Sequence, residues 1–278
     1  MCRWLAYSGG PIALSELIID TQYSIIDQSL AARSSVQTTN GDGFGIGWYD
    51  HLASPGLYKH IQPAWNDSNL RDLCTHTQSH MFLAHVRAAT GTAIQRANCH
   101  PFRYKNWLFA HNGVIRGARQ LRRQLALELD VELFPRISGT TDSELMFYLA
   151  IHFGMGDDVY EGVARMAGFV EKVGRKAGIE DPMQMTLGIA DGARLYAFRY
   201  SSEHKSRTLY YSKDISAIRD LAPPERRDRL DRVGDDARTI VSEPFSDFAE
   251  MWQEIPESSF LKIESGDVEC REFAPVSP

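Results

Sequence analysis

Residues 1–7 read M-C-R-W-L-A-Y, and a cysteine directly after the initiator methionine is an unusual place for a structural thiol. Removal of Met1 would leave Cys2 with a thiol and a free α-amine on the same Cα. The reference pKa of a thiol is about 8.5 and that of an α-amine is about 7.7–8.0, so at neutral pH part of the amine is uncharged and can accept the thiol proton. One residue would then supply both nucleophile and base. Position alone leaves open the alternative that Cys2 has no chemical role.

The same stretch predicts the first element of the fold, a strand over residues 3–7 closed by the turn sequence S-G-G-P at residues 8–11. Residues 12–30 predict a short helix, a break and a polar segment at 24–29, and residues 222–238 predict an exposed loop. Further strands are predicted at 44–48, 81–86, 108–110, 185–190, 195–200, 208–212, 239–242 and 259–264. Helices are predicted at 117–130, 141–154 and 157–176, the second beginning with a capping box of Thr141 and Glu144. This order favours sheets stacked between helix layers.

The composition is that of an ordinary globular protein, with 278 residues, 43% hydrophobic and 24% charged. Neither an internal repeat nor a separating linker is evident, so we expect one domain over residues 1–278. The net charge of -6 gives no electrostatic case for nucleic acid as a partner. The four cysteines form no C-x-x-C pair, which argues against a zinc or redox motif.

The sequence also allows a prediction of the cellular compartment. No apolar run approaches about 18 residues, which argues against a membrane span. The start of the chain lacks a basic region followed by an apolar stretch, so no signal peptide is expected. We therefore expect a cytoplasmic protein in which Cys2 can become the first residue.

Four short motifs need a common explanation. They are Cys2, the strand end H-V-R-A-A-T-G at residues 85–91, the pair N-C-H-P-F and F-A-H-N-G-V-I at 98–102 and 109–115, and the helix start G-T-T-D-S-E at 139–144. Each motif alone has an ordinary structural interpretation: the arginine as a surface ion pair, Asn-Gly as a turn, and the aspartate as a helix cap.

Together, in this order and spacing, the motifs resemble the glutaminase domain of the class II glutamine amidotransferases, which are N-terminal nucleophile hydrolases. S-I-I-D-Q-S at 24–29, D-G-F-G-I-G-W-Y at 42–49, L-Y-Y-S-K-D at 209–214 and V-S-E-P-F at 241–245 are similar to its stand-alone subgroup, which includes the γ-glutamyl amidohydrolase of ergothioneine synthesis. The resemblance covers nearly the whole chain. It implies an α+β fold, a four-layer αββα sandwich of two antiparallel sheets.

The resemblance implies a role for each motif. Cys2 would attack the γ-carbonyl of glutamine or another γ-glutamyl amide, with its own amine as base. Asn112, through its side chain, and Gly113, through its backbone N–H, would form the oxyanion hole. Arg87 would bind the substrate α-carboxylate and Asp142 the α-ammonium. Thr90 matches a threonine that lines the glutamine pocket, and neither a metal nor an organic cofactor is implied.

Some positions depart from the family pattern. Relatives that make amino sugars carry Trp after the arginine and His after the threonine, where this chain has Ala88 and Gly91, so coupling to a sugar isomerase is not expected. The nearby histidines, His85, His100 and His111, are interpreted as orienting groups rather than acid–base catalysts. Cys74 and Cys99 are expected to be buried thiols with no role.

The sequence leaves three functions open. The preferred one is hydrolysis of glutamine or a γ-glutamyl amide through a γ-glutamyl thioester. The second is a glutaminase subunit that delivers ammonia to a separate partner protein. The third is a catalytically silent module that senses glutamine. The intact set of motif residues argues against the third.

Overall fold

The structure is a computed structural model that describes residues 2–30, 39–89, 91–213, 234–245 and 249–278. In chain order the strands are β1 (Arg3–Ala13), β2 (Phe44–Trp48), β3 (Gly56–His60), β4 (Gln78–Val86), β5 (Phe102–Tyr104), β6 (Trp107–Ile115), β7 (Met183–Ala190), β8 (Arg194–Ser201), β9 (Tyr210–Ser212), β10 (Arg238–Val241), β11 (Trp252–Glu254), β12 (Ser259–Glu264) and β13 (Asp267–Glu272). The helices are α1 (Ser15–Ile18), α2 (Ile25–Leu30), α3 (Ser68–His76), α4 (Ala118–Ala126), α5 (Asp142–His152) and α6 (Val159–Lys176).

Within the described ranges the strands form two sheets. The first has the order β11-β9-β10-β1-β4-β2-β3 and the second the order β13-β12-β8-β7-β6-β5. Neighbouring strands in both sheets pair antiparallel. The sheets lie face to face, and a shared apolar layer fills the space between them.

Strand β1 shows how the layers are built, since its side chains alternate between two apolar layers. Trp4 and Ala6 belong to the layer between the sheets, whereas Leu5 and Tyr7 pack with the helices α1, α2 and α3. Because an apolar layer packs on each face of this strand, polar and apolar residues do not alternate along its sequence. A third apolar layer joins the outer face of the second sheet to α4, α5 and α6. The predicted four-layer αββα sandwich is confirmed.

The predicted helices at 117–130, 141–154 and 157–176 are confirmed with shorter bounds, and so is the hairpin of β7 and β8. The predicted capping box forms only in part. Thr141 accepts a hydrogen bond from the backbone N–H of Glu144 at 3.2 Å. The Glu144 carboxylate instead accepts from the backbone N–H groups of Ser138 (3.0 Å) and Gly139 (2.6 Å), which anchors the loop before the helix.

Three boundary predictions were wrong. Strand β1 does not close at residues 8–11 but continues to Ala13, with a register shift between Ser8 and Ile12 that absorbs the glycines. Strand β6 does not end at His111, because β7 pairs with it from Leu108 to Ile115. The polar segment at 24–29 lies within helix α2 apart from its first residue, and Ile25 is buried there. Most of the predicted loop at 222–238 lies outside the described residues.

None of the helices in the described part of the chain combines the length and apolarity needed to cross a membrane.

Candidate active site

Cys2 directly precedes β1, and the pairing of Arg3 with Val86 of β4 places it beside the segment that follows Val86. Its Sγ lies 3.3 Å from the backbone N of Ala88, which donates to it, and 3.4 Å from the Ala88 carbonyl oxygen. Burial raises the pKa of the Cys2 thiol, while the Ala88 N–H and the positive charges of Arg87 and Arg207 oppose that rise. The thiol is therefore protonated at neutral pH, and a base must remove its proton before it can act as a nucleophile.

The side-chain amide of Asn112 connects three parts of the chain next to Cys2. Its Nδ2 donates to the carbonyl oxygen of Cys2 at 3.0 Å and to Oγ of Ser242 at 3.1 Å. Its Oδ1 lies 3.0 Å from Nε2 of His85. Burial lowers the pKa of His85 to about 3, so the imidazole is neutral at physiological pH. Because Oδ1 can only accept, His85 must carry its proton on Nε2, and this bond fixes the orientation of the amide.

Gly113 follows Asn112 in β6 and lies on the cavity wall. A Cβ at this position would overlap the backbone carbonyl of Gln184 on the neighbouring strand β7. Only glycine lets β6 pass this close to β7 while its backbone remains next to the cavity.

Arg87 is 3% exposed and is held entirely by neutral groups among the described residues. Its guanidinium donates to the carbonyl oxygen of Asp42 (3.2 Å), to Oγ1 of Thr92 (2.6 Å) and to the carbonyl oxygen of Ala93 (3.3 Å). The Asp42 carboxylate instead accepts from the backbone N–H of Ala89 at 2.7 Å. A buried charge without an ionic partner is costly, so this arginine is suited to an anionic ligand.

Asp142 is the first residue of α5, but it is not the helix cap. The cap is Thr141, whose side chain accepts from the helix backbone. The Asp142 carboxylate accepts from the backbone N–H of Ile115 at 2.8 Å and from that of Ser143 at 3.0 Å. It thereby joins the end of β6 to the start of α5, and its remaining lone pairs are available to a cationic group.

Two more histidines pack beside these residues. Nδ1 of His111 lies 2.8 Å from Oγ of Ser143, and its Nε2 lies 3.4 Å from the carbonyl oxygen of Gln184. His100 packs against His85, with ring centroids 4.3 Å apart, and neither of its buried nitrogens has a hydrogen-bond partner among the described residues. Burial lowers the pKa of both His100 and His111, so both are neutral. The contacts of His111 are in keeping with an orienting role, whereas His100 makes no hydrogen bond among the described residues and packs only through its ring.

A cavity of about 450 Å³ opens at this point. Its wall combines the start of β1, the segment after β4, the end of β6, helix α4 and the start of α5. Across the described ranges, no group of three or more His, Cys, Asp or Glu side chains is placed to bind a metal ion. The arrangement joins a thiol, a buried cation and a carboxylate in one cavity.

The structure brings together most of the predicted site residues. Cys2, Arg87, Gly113 and Asp142 line the cavity, and Asn112 lies directly behind it, hydrogen-bonded to Cys2. Thr90 and Met1 lie outside the described residues. Cys74 and Cys99 are fully buried, as expected, and the Cys99 thiol lies 3.4 Å from the carbonyl oxygen of His60, to which it donates.

Two residues of the network appear in the sequence only as part of the V-S-E-P-F motif. Oγ of Ser242 accepts from the Trp4 backbone N–H at 3.1 Å as well as from Asn112. Glu243 forms a buried ion pair with Arg3, with an N–O distance of 2.8 Å. The signal in the sequence is that two polar residues, Ser242 and Glu243, directly follow a buried strand. The sequence does not show which other strand these side chains contact.

We expect His85 to make the protein sensitive to acid. An unfolded His85 would bind a proton below its reference pKa of about 6.5, whereas the folded residue does so only near a pKa of about 3. The folded state is therefore destabilised as the pH falls from about 6.5 towards 3, by about 2 kcal/mol at pH 5 for this residue.

Urea unfolding of wild type and His85→Gln at pH 7 and pH 5 measures this contribution. The variant should lose less unfolding free energy than the wild type over that interval, even if it is less stable at pH 7. His51→Gln, at a histidine whose side chain is 87% exposed, is the matched control. Equal pH dependence in wild type and His85→Gln would show that His85 protonates freely in the folded protein.

With this geometry established, comparison with known sequences identifies the class. The sequence model of the family described as glutamine amidotransferases class-II matches residues 12–276. The chain belongs to the class II glutamine amidotransferases, enzymes that act on the C–N bond of an amide. The match begins ten residues after Cys2 and therefore does not include it.

Two named proteins are similar to this chain over different shares of its length. The chain is 32% identical over 292 residues to the probable glutamine amidotransferase DUG3 of Saccharomyces cerevisiae, covering 95% of this chain and 82% of that protein. It is 37% identical over 117 residues to the gamma-glutamyl-hercynylcysteine sulfoxide hydrolase of Mycobacterium tuberculosis, covering 41% of this chain and half of that protein.

Solved structures agree with the fold. A glutamine aminotransferase class-II domain protein from Silicibacter pomeroyi superimposes with a TM-score of 0.73 at 31% identity, covering 98% of this chain and all of the other. Glutamine phosphoribosylpyrophosphate amidotransferase from B. subtilis superimposes with a TM-score of 0.65 at 16% identity, over 98% of this chain and 49% of that one, and this likeness concerns the fold alone.

Proposed function

We propose that this chain hydrolyses the γ-amide bond of glutamine or of another γ-glutamyl amide, through a γ-glutamyl thioester on Cys2. The observation that carries the proposal is one cavity lined by Cys2, by the buried Arg87, which has no ionic partner among the described residues, and by Asp142. The names of the yeast and mycobacterial relatives, an amidotransferase and a γ-glutamyl hydrolase, support the same chemistry. Residues 1–278 would form a single catalytic domain.

The reaction would begin after removal of Met1. The free α-amine of Cys2 accepts the thiol proton, and the thiolate attacks the γ-carbonyl carbon. The resulting tetrahedral intermediate collapses with cleavage of the C–N bond, and the departing amine takes the proton from the α-ammonium. Water then adds to the thioester carbonyl and releases glutamate and the Cys2 thiol.

The oxyanion of the intermediate would accept hydrogen bonds from the Gly113 N–H and from Nδ2 of Asn112. In the structure both Nδ2 hydrogens are engaged, with Cys2 and Ser242. One of these bonds would be exchanged for the oxyanion as charge develops. His85 would keep the NH₂ end of the amide directed towards Cys2, because its proton holds Oδ1 on the opposite side.

The γ-glutamyl end of the substrate would be recognised by charge. Arg87 would bind the α-carboxylate and Asp142 the α-ammonium. Each contact is a charge-assisted hydrogen bond of roughly 1.5–3 kcal/mol. Losing either one should reduce kcat/KM by about 10- to 100-fold or more.

Substrate analogues test this assignment and with it the proposed function. L-glutamine should be hydrolysed, whereas N-acetylglutamine and glutamine amidated at its α-carboxyl should not. Arg87→Ala should strongly lower kcat/KM for glutamine. It should not lower kcat/KM for the α-amide analogue below the wild-type value. Asp142→Ala should behave in the same way towards the N-acetyl analogue. If the wild type hydrolyses N-acetylglutamine as fast as glutamine, Asp142 does not bind the α-ammonium. Its role would then be the observed one of joining β6 to α5.

A further inference from the structure

An ion pair is buried next to Cys2. Nε of Arg3 lies 2.8 Å from Oε2 of Glu243, and the two side chains are only 5% and 7% exposed. The backbone carbonyl oxygen of Glu243 accepts a hydrogen bond from Nε2 of Gln28 at 3.2 Å. The motifs S-I-I-D-Q-S and V-S-E-P-F therefore help to hold Arg3 in one position, although none of their residues lines the cavity.

The guanidinium that this ion pair fixes also contacts Cys2. Nη1 of Arg3 donates to the Cys2 carbonyl oxygen at 3.1 Å, and Nδ2 of Asn112 donates to the same oxygen at 3.0 Å. A carbonyl oxygen has two lone pairs, so it can accept both bonds. Neither bond involves the peptide between Met1 and Cys2, so both are compatible with removal of Met1.

The two donors have different tasks in the proposed reaction. Asn112 must give one Nδ2 hydrogen to the oxyanion, which forms on the carbon bonded to the Cys2 sulfur. One Nδ2 hydrogen already points at Cys2 and the other at Ser242, so the first is nearer to the new oxyanion. A carbonyl oxygen that loses its donor raises the free energy of the intermediate. Arg3 makes no such exchange, because Glu243 holds it.

We propose that Arg3 is a positioning residue that keeps the Cys2 carbonyl hydrogen-bonded while Asn112 is engaged with the oxyanion. Asn112 then exchanges its partner at little cost, and Cys2 keeps the orientation of its thiol and amine. Glu243 contributes by fixing Arg3. Neither of these two residues lines the cavity, so neither is a catalytic residue. This inference rests on the proposed function, since it concerns the oxyanion step of that reaction.

The paired variant Arg3→Met/Glu243→Gln tests the inference. It removes both charges together, so no buried carboxylate is left without its partner. With glutamine or γ-L-glutamyl p-nitroanilide as substrate, kcat should fall by about tenfold, the lower end for losing a charge-assisted hydrogen bond, because this bond is only partly buried. KM should change little, because the second donor is needed only when the oxyanion forms.

A double-mutant cycle with Asn112→Ala separates this role from a purely structural one. Without Asn112 there is no exchange, and Arg3 is the donor to the Cys2 carbonyl in both the ground state and the transition state. The paired variant should therefore hardly change the kcat of Asn112→Ala. An equal loss of kcat in both backgrounds would overturn the inference and show that the ion pair only holds Cys2 in place. An unchanged kcat in the background that retains Asn112 would also overturn it.

Arg199→Met/Glu254→Gln is the matched control. Arg199 is also buried and ion-paired, with an N–O distance of 2.7 Å, and neither residue lines the cavity. This control should keep the wild-type kcat.

Thermal unfolding shows whether the paired variant folds. If it does not, Glu243→Gln takes its place in the same cycle, with an expected loss of about threefold, because a neutral contact holds Arg3 less firmly. Wild-type turnover of either substrate tests the proposed function separately. Absence of that turnover would overturn the proposed function and the inference together, whereas equal losses in the cycle would overturn the inference alone.

Discussion

Replacing Cys2 with serine is expected to reduce kcat for amide hydrolysis by at least about 10³-fold, because a hydroxyl is far harder to deprotonate than a thiol. Even the thiol has a raised pKa at this buried position, so the site has little capacity to ionise a weaker acid. Steady-state assays with glutamine and a γ-glutamyl amide measure the effect. Circular dichroism of the variant would show that the fold is retained, since the substitution changes one atom.

Chemical labelling gives an independent test of the same residue. A diazoketone analogue of glutamine should label Cys2 once and leave Cys74, Cys99 and Cys270 unmodified. Cys270 is exposed and is therefore the internal control for simple accessibility. Peptide mapping that places the label on Cys270 would contradict the assignment. Intact mass should show that active protein begins at Cys2, and full activity with Met1 retained would exclude the α-amine as the base.

The second large effect is expected at Asn112. Asn112→Ala should lower kcat by about 10²–10³-fold, the usual result of losing one oxyanion-hole donor. KM should change little, because the donor is directed at charge that develops only after attack. An effect confined to KM would mean that Asn112 only shapes the cavity.

The variant also removes a buried amide that holds Cys2, Ser242 and His85, so some loss of stability is expected. Leaving such groups unpaired costs about 1–3 kcal/mol each. Ser242→Ala is the matched control, because it removes one bond to Nδ2 and keeps the donor itself. If Ser242→Ala lowers kcat as much as Asn112→Ala, the loss arises from disturbed packing rather than from the missing donor. Thermal unfolding of both variants shows how much of each effect is structural.

Several features of the fold and the site follow from the amino-acid sequence alone. The motifs around Cys2, Arg87, Asn112 and Asp142 are sufficient to indicate the family and the four-layer sandwich. Helices α4 and α6 were predicted because their apolar residues recur at the helical period, and α5 because Thr141 and Glu144 mark its start. Helix α3 was not predicted. Strand ends were predicted poorly, because Asn-Gly and Gly-Gly-Pro are turn signals in isolation. Pairing with a neighbouring strand carries β1 and β6 through those sequences.

The sequence by itself determined the residue types of the cavity, their order along the chain, and the chemistry that an N-terminal thiol and amine can perform. Only the tertiary structure decided which groups meet. Ser242 reaches Asn112 across 130 positions of the chain, and Arg87 is left with neutral partners because the Asp42 carboxylate turns to a backbone N–H. Such contacts depend on sheet register and on competition between hydrogen-bond partners distant in sequence, and no local pattern of residues encodes either of these.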